Sequence, residues 1–526
     1  MSIAINNRVD SASDSNFQNK LKAFRKLVAD MQASSSISYT LDWDQSTYMP
    51  ETATESRAWQ KSFLARYSHN ILVSRKMLGL INYLEEETNR TKLTKDEEAL
   101  LKEILNQYQR EKNVPGSLVQ ALARRVVKAH DVWAKATDFN TFAPALEKIV
   151  SIQREIAEHA GSYRSPYDAL LERYEPGMTA EKLDKLFGKL REELIPIIKA
   201  IKALPKPDTS FLCKQYDHDK QMNFSKDLLK HIGFDFNRGR LDEATTPFSH
   251  GILTNDVRLT TSISLENIFY TIANTLHEGG HGLYDQGFDP SLEQTPLFDA
   301  SSLGMHESQS RLYEATIGQG FPFWKFYFPK LQEQFPENLK NTTLEEFYKG
   351  INAVAPSFTW GDSDEVTYSL HVMVRYEIAK SLIEGTLDVK DVPKAWNEKM
   401  KEYLEITPSK DTEGPLQNSH WSDGDFGYFP TYILGNLYAA QIYNTLKKEI
   451  PDIEEQIAKG NMTILREWLR EKIHKYGKTE SSDEIMRRVT GESLNIKHYI
   501  NYLKDKYGKL YNISFDIKEP SLTCKV

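Results

Sequence analysis

Apolar residues return every three or four positions along most of this 526-residue chain, and that spacing constrains the fold more than any other feature. Phe17, Leu21, Phe24, Leu27 and Met31 fall on one face of a helical period, so the segment reads as an amphipathic helix. Leu101, Leu105 and Tyr108 continue the pattern, as do Leu183, Leu186, Phe187 and Leu190. Thr94 with Glu97, Thr343 with Glu346 and Ser481 with Glu484 have the Ser/Thr-x-x-Glu spacing that satisfies free amides where a helix begins. Alternation suited to a strand is scarce. It is clearest from Asp256 to Ile263, where Val257, Leu259, Thr261 and Ile263 alternate with Arg258, Thr260 and Ser262. The expected fold class is mainly α: a single large helical body over residues 17–515, with a disordered tail at 1–16 and a short tail at 516–526. Loops near 290, 360 and 420 are expected to wall a groove in it.

Composition excludes several functions. The 66 basic and 74 acidic residues are mixed along the chain and leave a net charge of −8, which offers nucleic acid no electrostatic footprint. The densest aromatic stretch, Phe321 to Pro329, is far short of the roughly 20 apolar residues of a membrane span. It also contains Lys325 and two prolines, and is expected to pack in the core or at a dimer face. The N-terminus lacks a basic region followed by an apolar run, so it does not read as a secretory signal. Cys213 and Cys524 make neither a disulfide framework nor a thiolate metal site, which points to a reducing, cytoplasmic setting.

The chemistry is concentrated in Ile268 to His281. There His277 and His281 stand four residues apart, about 40° from each other around a helix, so that both imidazoles can share one ion. Glu278 is rotated from them, where its carboxylate can reach a metal-bound water without coordinating the metal. Beyond His281 comes MHESQSRLYE, in which Glu307 can supply the third ligand of a His2Glu zinc site. Such a site leaves a position for water, which Glu278 can deprotonate before returning the proton to a leaving amine. Asp285 is placed either to orient a ligand histidine or at a helix surface. Gly279 and Gly280 cost helix propensity and so are expected to allow close approach of another element. A di-iron carboxylate bundle is the main rival, because Glu471-x-x-His474 repeats the spacing of Glu278-x-x-His281. The apolar stripe Ile464, Leu465, Trp468, Leu469 and Ile473 puts His474 on the opposite, charged side and argues against it. A metal-binding protein without turnover is the other rival, and the intact Glu278 argues against that.

Beyond these motifs the chain carries LDWDQSTYMP (41 to 50), DFNTFAPALEKIV (138 to 150), YEPGMTAEKLDKLF (174 to 187), DVRLTT (256 to 261), DEVTYSLHVMVRYE (364 to 377) and GYFPTYILGN (427 to 436). With HEGGHGLYDQG and HESQSRLYE, they make the chain similar from end to end to the thermostable metallocarboxypeptidases of the carboxypeptidase Taq family. The resemblance implies an all-helical fold with a deep substrate groove, like the angiotensin-converting enzyme and neurolysin group. It also implies a homodimer active with zinc or cobalt, and peptide substrates that lose single C-terminal residues. It assigns His277, His281 and Glu307 as ligands, Glu278 as the base, and Arg258, Gln417, His420 and Trp421 to the substrate cleft. Tyr428 and His420, with His371 behind them, are nominated as oxyanion donors.

The departures from the family pattern leave the metal motif alone. Thr246-Pro247-Phe248 stands for His-Pro-Phe, Ser262 follows the threonine pair where the family has arginine, and Asn418 replaces an aspartate. Ile-Arg-x-x-Ala-Asp reads Thr359-Trp360-Gly-Asp-Ser363-Asp364, so Trp360 stands where the family has the arginine that meets the substrate's C-terminal carboxylate. An arginine grips a carboxylate with two N–H donors and a tryptophan offers one. Either Arg258 or Arg375 takes over that role, or cleavage has shifted in position or substrate length, as in an endopeptidase.

Overall fold

Helix follows helix along nearly the whole chain, because the 3.6-residue apolar spacing persists from end to end. The computed structural model describes residues 2–161 and 163–517, with side chains from residue 14 onward. The helix expected around Phe17 to Met31 lies within Ser2–Thr47, where Phe17, Leu21, Phe24 and Met31 are buried. The expected N-terminal tail falls mostly on residues whose side chains are not described, and Cys524 lies outside the described residues. All three predicted helix starts are capping boxes with both hydrogen bonds formed, at Thr94, Thr343 and Ser481.

The expected strand is β3 (Asp256–Thr261), which stops two residues earlier than its alternation does. It is the middle of a three-stranded sheet in the order β1-β3-β2, between parallel β1 (Gly239–Glu243) and antiparallel β2 (Ser249–Leu253). A short turn then leads into the two-histidine helix, Ile268–Asp285, whose first turn is capped by Asn267 accepting from the Tyr270 amide. That helix is packed by β3, by the helix His218–Ile232 and by the glutamate helix, Leu303–Arg311. A side chain at Gly280 would run into the backbone of Gln309 and Ser310, and one at Gly279 would meet Leu229 at 2.6 Å. The two glycines therefore serve close packing, as their cost of about 1 kcal/mol each in a helix implies.

One apolar core runs from Phe17 to Tyr507 and takes in Phe323, Trp324, Tyr327 and Phe328 of the aromatic run. No helix among the described residues is long and apolar enough to cross a membrane. Cys213 is exposed and unpaired.

His474 corrects the sequence reading. The helix carrying the apolar stripe ends at Lys472, Ile473 leaves helical geometry with φ −130°, and His474 turns inward to full burial. A projection at 100° per residue holds only while the helix lasts. The His474 ring lies 4.8 Å from that of Tyr284, tilted by 35°, and its Nε2 meets Gln309 Oε1 at 2.9 Å. It joins no second metal cluster: among the described residues only His277, His281 and Glu307 form one.

Candidate functional site

The two-histidine helix presents His277 and His281 with ring centroids 4.9 Å apart and planes at 78°. Glu307, from the glutamate helix, enters between them. Its Oε1 is 3.5 Å from His277 Nε2 and its Oε2 3.4 Å from His281 Nε2, and the three ligand atoms lie within 4.8 Å of one another. Three features hold the glutamate helix in place. Ser302 caps its first turn, the buried Glu175 accepts from the Ser302 hydroxyl at 2.9 Å and the Gly304 amide at 3.0 Å, and Gly280 admits it against the two-histidine helix. From the other side Gly435, on the tyrosine helix Pro430–Glu449, leaves room for Glu307, whose Cγ a Cβ there would meet at 2.6 Å.

The donor set fits a divalent cation. Glu307 Oε1 and Glu278 Oε2 are buried without a hydrogen-bond partner, a costly state that a cation relieves. Two imidazole nitrogens and a carboxylate oxygen are also the mixture that suits zinc and its neighbours. Burial alone would lower the His277 pKa, but Glu307 and Glu314 outweigh it and bring it up to about 9. Burial, opposed by His277 and helped by Glu307 and Glu314, pushes Glu278 up to about 8. Glu307 resists the same burial because His277, His281 and Arg311 hold it down to about 2.

Glu314 is one residue of the site that the sequence does not single out. Its carboxylate accepts from His277 Nδ1 at 2.7 Å, which turns Nε2 toward Glu307, and Arg311 donates to the same oxygen at 2.6 Å. It stands seven residues after Glu307 in the widened helical stretch Leu312–Ile317, and the signal was the last letter of HESQSRLYE. Such a carboxylate orients the ring and raises its basicity. Asp285 is buried, not at the surface, and acts one ring further out: it accepts from His306 Nε2 at 2.8 Å, and His306 stacks on His281 at 4.4 Å.

Tyr428, Tyr432 and His420 form an aromatic wall beside this centre. His420 Nε2 is 2.8 Å from the Tyr432 hydroxyl, and the Tyr428 ring lies 5.1 Å from His420 and 5.2 Å from Tyr432. The charges of Glu307 and Glu278 reach both phenols, which places them on the triad's side. Burial brings His420 down to about 4, so its ring is neutral. Tyr432 was not singled out from the sequence, although it stands one helical turn after Tyr428 in the same motif.

The remaining expected residues divide. Arg375, on the arginine helix Tyr368–Glu384, is fully buried, and its Nη1 donates to the His371 carbonyl at 2.9 Å and its Nη2 to Gln417 Oε1 at 3.0 Å. His371 is sealed behind it with neither ring nitrogen partnered, and burial holds its pKa well below the usual value. Arg258 makes two 2.9 Å hydrogen bonds with Asp256 and lies 4.3 Å over Trp43 of the N-terminal helix. Trp421 is not a cleft residue in this structure. The short helix Ser419–Asp423 turns His420 toward the aromatic wall and Trp421 into the core, edge-on to Trp396 and Phe429. Tyr39, on the N-terminal helix and 40% exposed, stacks on His250 of β2 at 5.0 Å.

Comparison with known proteins agrees with this geometry. The family description "Carboxypeptidase Taq (M32) metallopeptidase" matches residues 23–507. Carboxypeptidase 1 of Bacillus subtilis is 38% identical over 90% of this chain and 94% of its own length. Thermostable carboxypeptidase 1 of Thermus thermophilus is 37% identical over 89% of this chain and 94% of its own. Among solved structures, the M32 carboxypeptidase of Deinococcus radiodurans superposes with a TM-score of 0.87 at 32% identity, covering 94% of this chain and 100% of that one. A two-histidine helix, a glutamate helix and a sequence match along almost the whole length lead to one conclusion: this chain belongs to the carboxypeptidase Taq metallopeptidase family.

Proposed function

We propose that this metal-dependent carboxypeptidase removes single C-terminal residues from peptides at His277, His281 and Glu307, with Glu278 carrying the proton. The observation that carries the reading is the buried Glu307 carboxylate held between two histidines, with the buried Glu278 next to His277 on the histidines' own helix. A divalent cation bound there supplies Lewis acidity, which polarises a peptide carbonyl and acidifies water. The protein's own groups do the rest. Glu278 accepts the proton of the attacking water and delivers it to the departing amine. Tyr428, braced by Tyr432 and His420, offers an O–H where negative charge builds on the carbonyl oxygen. Glu314 and Arg311 keep His277 in one tautomer through both events.

The nitrogen and oxygen donor set supports zinc, with cobalt as a working substitute. The family resemblance supports a homodimer acting on peptides. The exposed, unpaired Cys213 supports a reducing, cytoplasmic setting. Mass spectrometry of peptides with free and with amidated C-termini tests the reading, using metal-loaded protein, chelated protein and Glu278→Gln. Loss of single residues from the free acids, absent in the two controls, is expected. Internal cleavage of amidated peptides would replace this reading with an endopeptidase, and no cleavage with any metal would leave a metal-binding protein without turnover.

A further inference from the structure

We propose that Arg375 is the receptor for the substrate's C-terminal carboxylate, with Gln417 and Trp360 as the cover that the carboxylate displaces. The proposal rests on the carboxypeptidase reading above and adds the group that makes it selective for chain ends.

Arg375 is a fully buried guanidinium whose protein contacts do not neutralise it. It lies between two indole rings, 5.0 Å from that of Trp360 and 4.8 Å from that of Trp396. Its hydrogen bonds go to neutral oxygens, the His371 carbonyl and the Gln417 amide. Among the described residues no carboxylate pairs with it; the ionisable groups within reach of its charge are the phenols of Tyr368 and Tyr432 and the imidazoles of His371 and His420, none of them a resident anion. Arg258 and Arg311 differ in this respect. Asp256 takes the first and Glu314 the second, so neither has a free charge to offer. Indole faces and neutral acceptors only partly offset the burial of a cation, so the pocket lacks an anion.

The donors have the geometry that a carboxylate needs. Arg375 Nε is buried without a partner, and its neighbour on the same guanidinium edge, Nη2, is held by Gln417 Oε1. That edge is a two-pronged fork for a carboxylate, with one prong idle and the other on a neutral stand-in. Gln417 Oε1 also receives the Trp360 backbone N–H at 2.9 Å, so two N–H groups already converge on one oxygen position. The Trp360 indole N–H is a further buried donor without a partner. The cover belongs to the loop at 355–364, in which Phe358 and Gly361 are exposed, and Gln417 ties itself to that loop through the Phe358 carbonyl at 3.0 Å.

The position relative to the metal ligands also fits. Trp360 lies 4.6 Å from Tyr432, and Tyr432 lies 5.2 Å from Tyr428, whose hydroxyl the Glu307 charge reaches. A continuous aromatic wall thus joins the carboxylate receptor to the triad, and the terminal side chain would lie along it. Trp360, standing where the family motif has an arginine, then becomes a stacking cover for the arginine one layer deeper.

The test compares kcat and KM of wild type, Arg375→Gln, Arg375→Lys and Arg258→Gln on matched free-acid and amidated peptides. Arg375→Gln is expected to lose about 100-fold in kcat/KM on free acids, chiefly through KM, with little change on amides. Arg375→Lys should recover part of that loss, because it restores the charge without the fork. An unchanged free-acid preference in Arg375→Gln, or its loss in Arg258→Gln instead, would overturn the proposal. A titration of metal-loaded wild type covers the case in which Arg375→Gln does not fold. Leucine should change the tryptophan emission saturably, through Trp360 and Trp396, and leucinamide should not; equal responses would overturn the proposal. If wild type cleaves no peptide, the carboxypeptidase reading fails, while the titration still decides the role of Arg375.

Discussion

At the triad, the buried carboxylates of Glu278 and Glu307 and the half-buried one of Glu314 crowd two histidines, whereas behind Trp360 a buried guanidinium meets, among the described residues, neutral oxygens and indole faces. Leaving a charge buried without its counter-charge costs several kcal/mol in either place. The two places hold that imbalance differently. The triad is fixed by helices in glycine-mediated contact, so its charges converge whether or not a cation is present. The arginine is fixed just as firmly on its helix, but a loop and one glutamine stand in for its partner. The difference teaches that the first half is built for a resident ion and the second for a charge that arrives and leaves with every turnover.

The largest effect expected at the triad is from Glu278→Gln. It should lower kcat by about 1,000-fold or more while metal content, measured by atomic absorption, stays at the wild-type level. A parallel loss of metal would break the distinction between ligands and proton carrier. Gly280→Ala comes next. Its methyl group must push the glutamate helix away, and the expected cost is about 3 kcal/mol of stability in chemical denaturation, together with weakened metal binding. Wild-type stability in this variant would mean that the close helix contact is not needed.

Glu314→Gln should weaken metal affinity by about 10- to 100-fold in competition with a chelator, since His277 loses the carboxylate that orients it. Full affinity would show that Arg311 and Glu314 serve packing alone. Glu175, the buried acid behind the glutamate helix, gives the smallest effect. Burial brings its pKa up from 4.5 to about 7, partly offset by hydrogen bonds from Ser302, Gly304 and Tyr438. The native protein therefore holds a proton that the unfolded chain releases. That contribution is full below pH 4.5 and is lost as the pH rises through about 7, so stability falls with rising pH in this window. Glu175→Gln should remove no more than about 2 kcal/mol of this dependence between pH 5 and 7. An unchanged slope in the variant would assign it to another group.

Much of the scaffold could be read in advance because its rules are local. The capping boxes at Thr94, Thr343 and Ser481 each need residues three apart, and β3 needs only an alternation. The same locality explains the misses. Projecting His474 around a helix fails because the helix has already ended, and Trp421 parts from His420 because neighbouring residues on a short helix point about 100° apart. Glu314 and Tyr432 were visible letters in quoted motifs, but nothing in their spacing told which ring each would meet.

By itself the sequence determined the helical class, the helix starts, the family resemblance and the pairing of His277 with His281, since each follows from the order and spacing of residues along the chain. Only the tertiary structure decided that Glu307 enters between those histidines, that Glu314 and not Asp285 orients His277, and that Arg375 is buried with no carboxylate of the described residues paired to it. These are facts about which helices lie side by side and which groups they remove from water. Charge balance in a folded protein depends on that packing, which brings together residues distant along the chain.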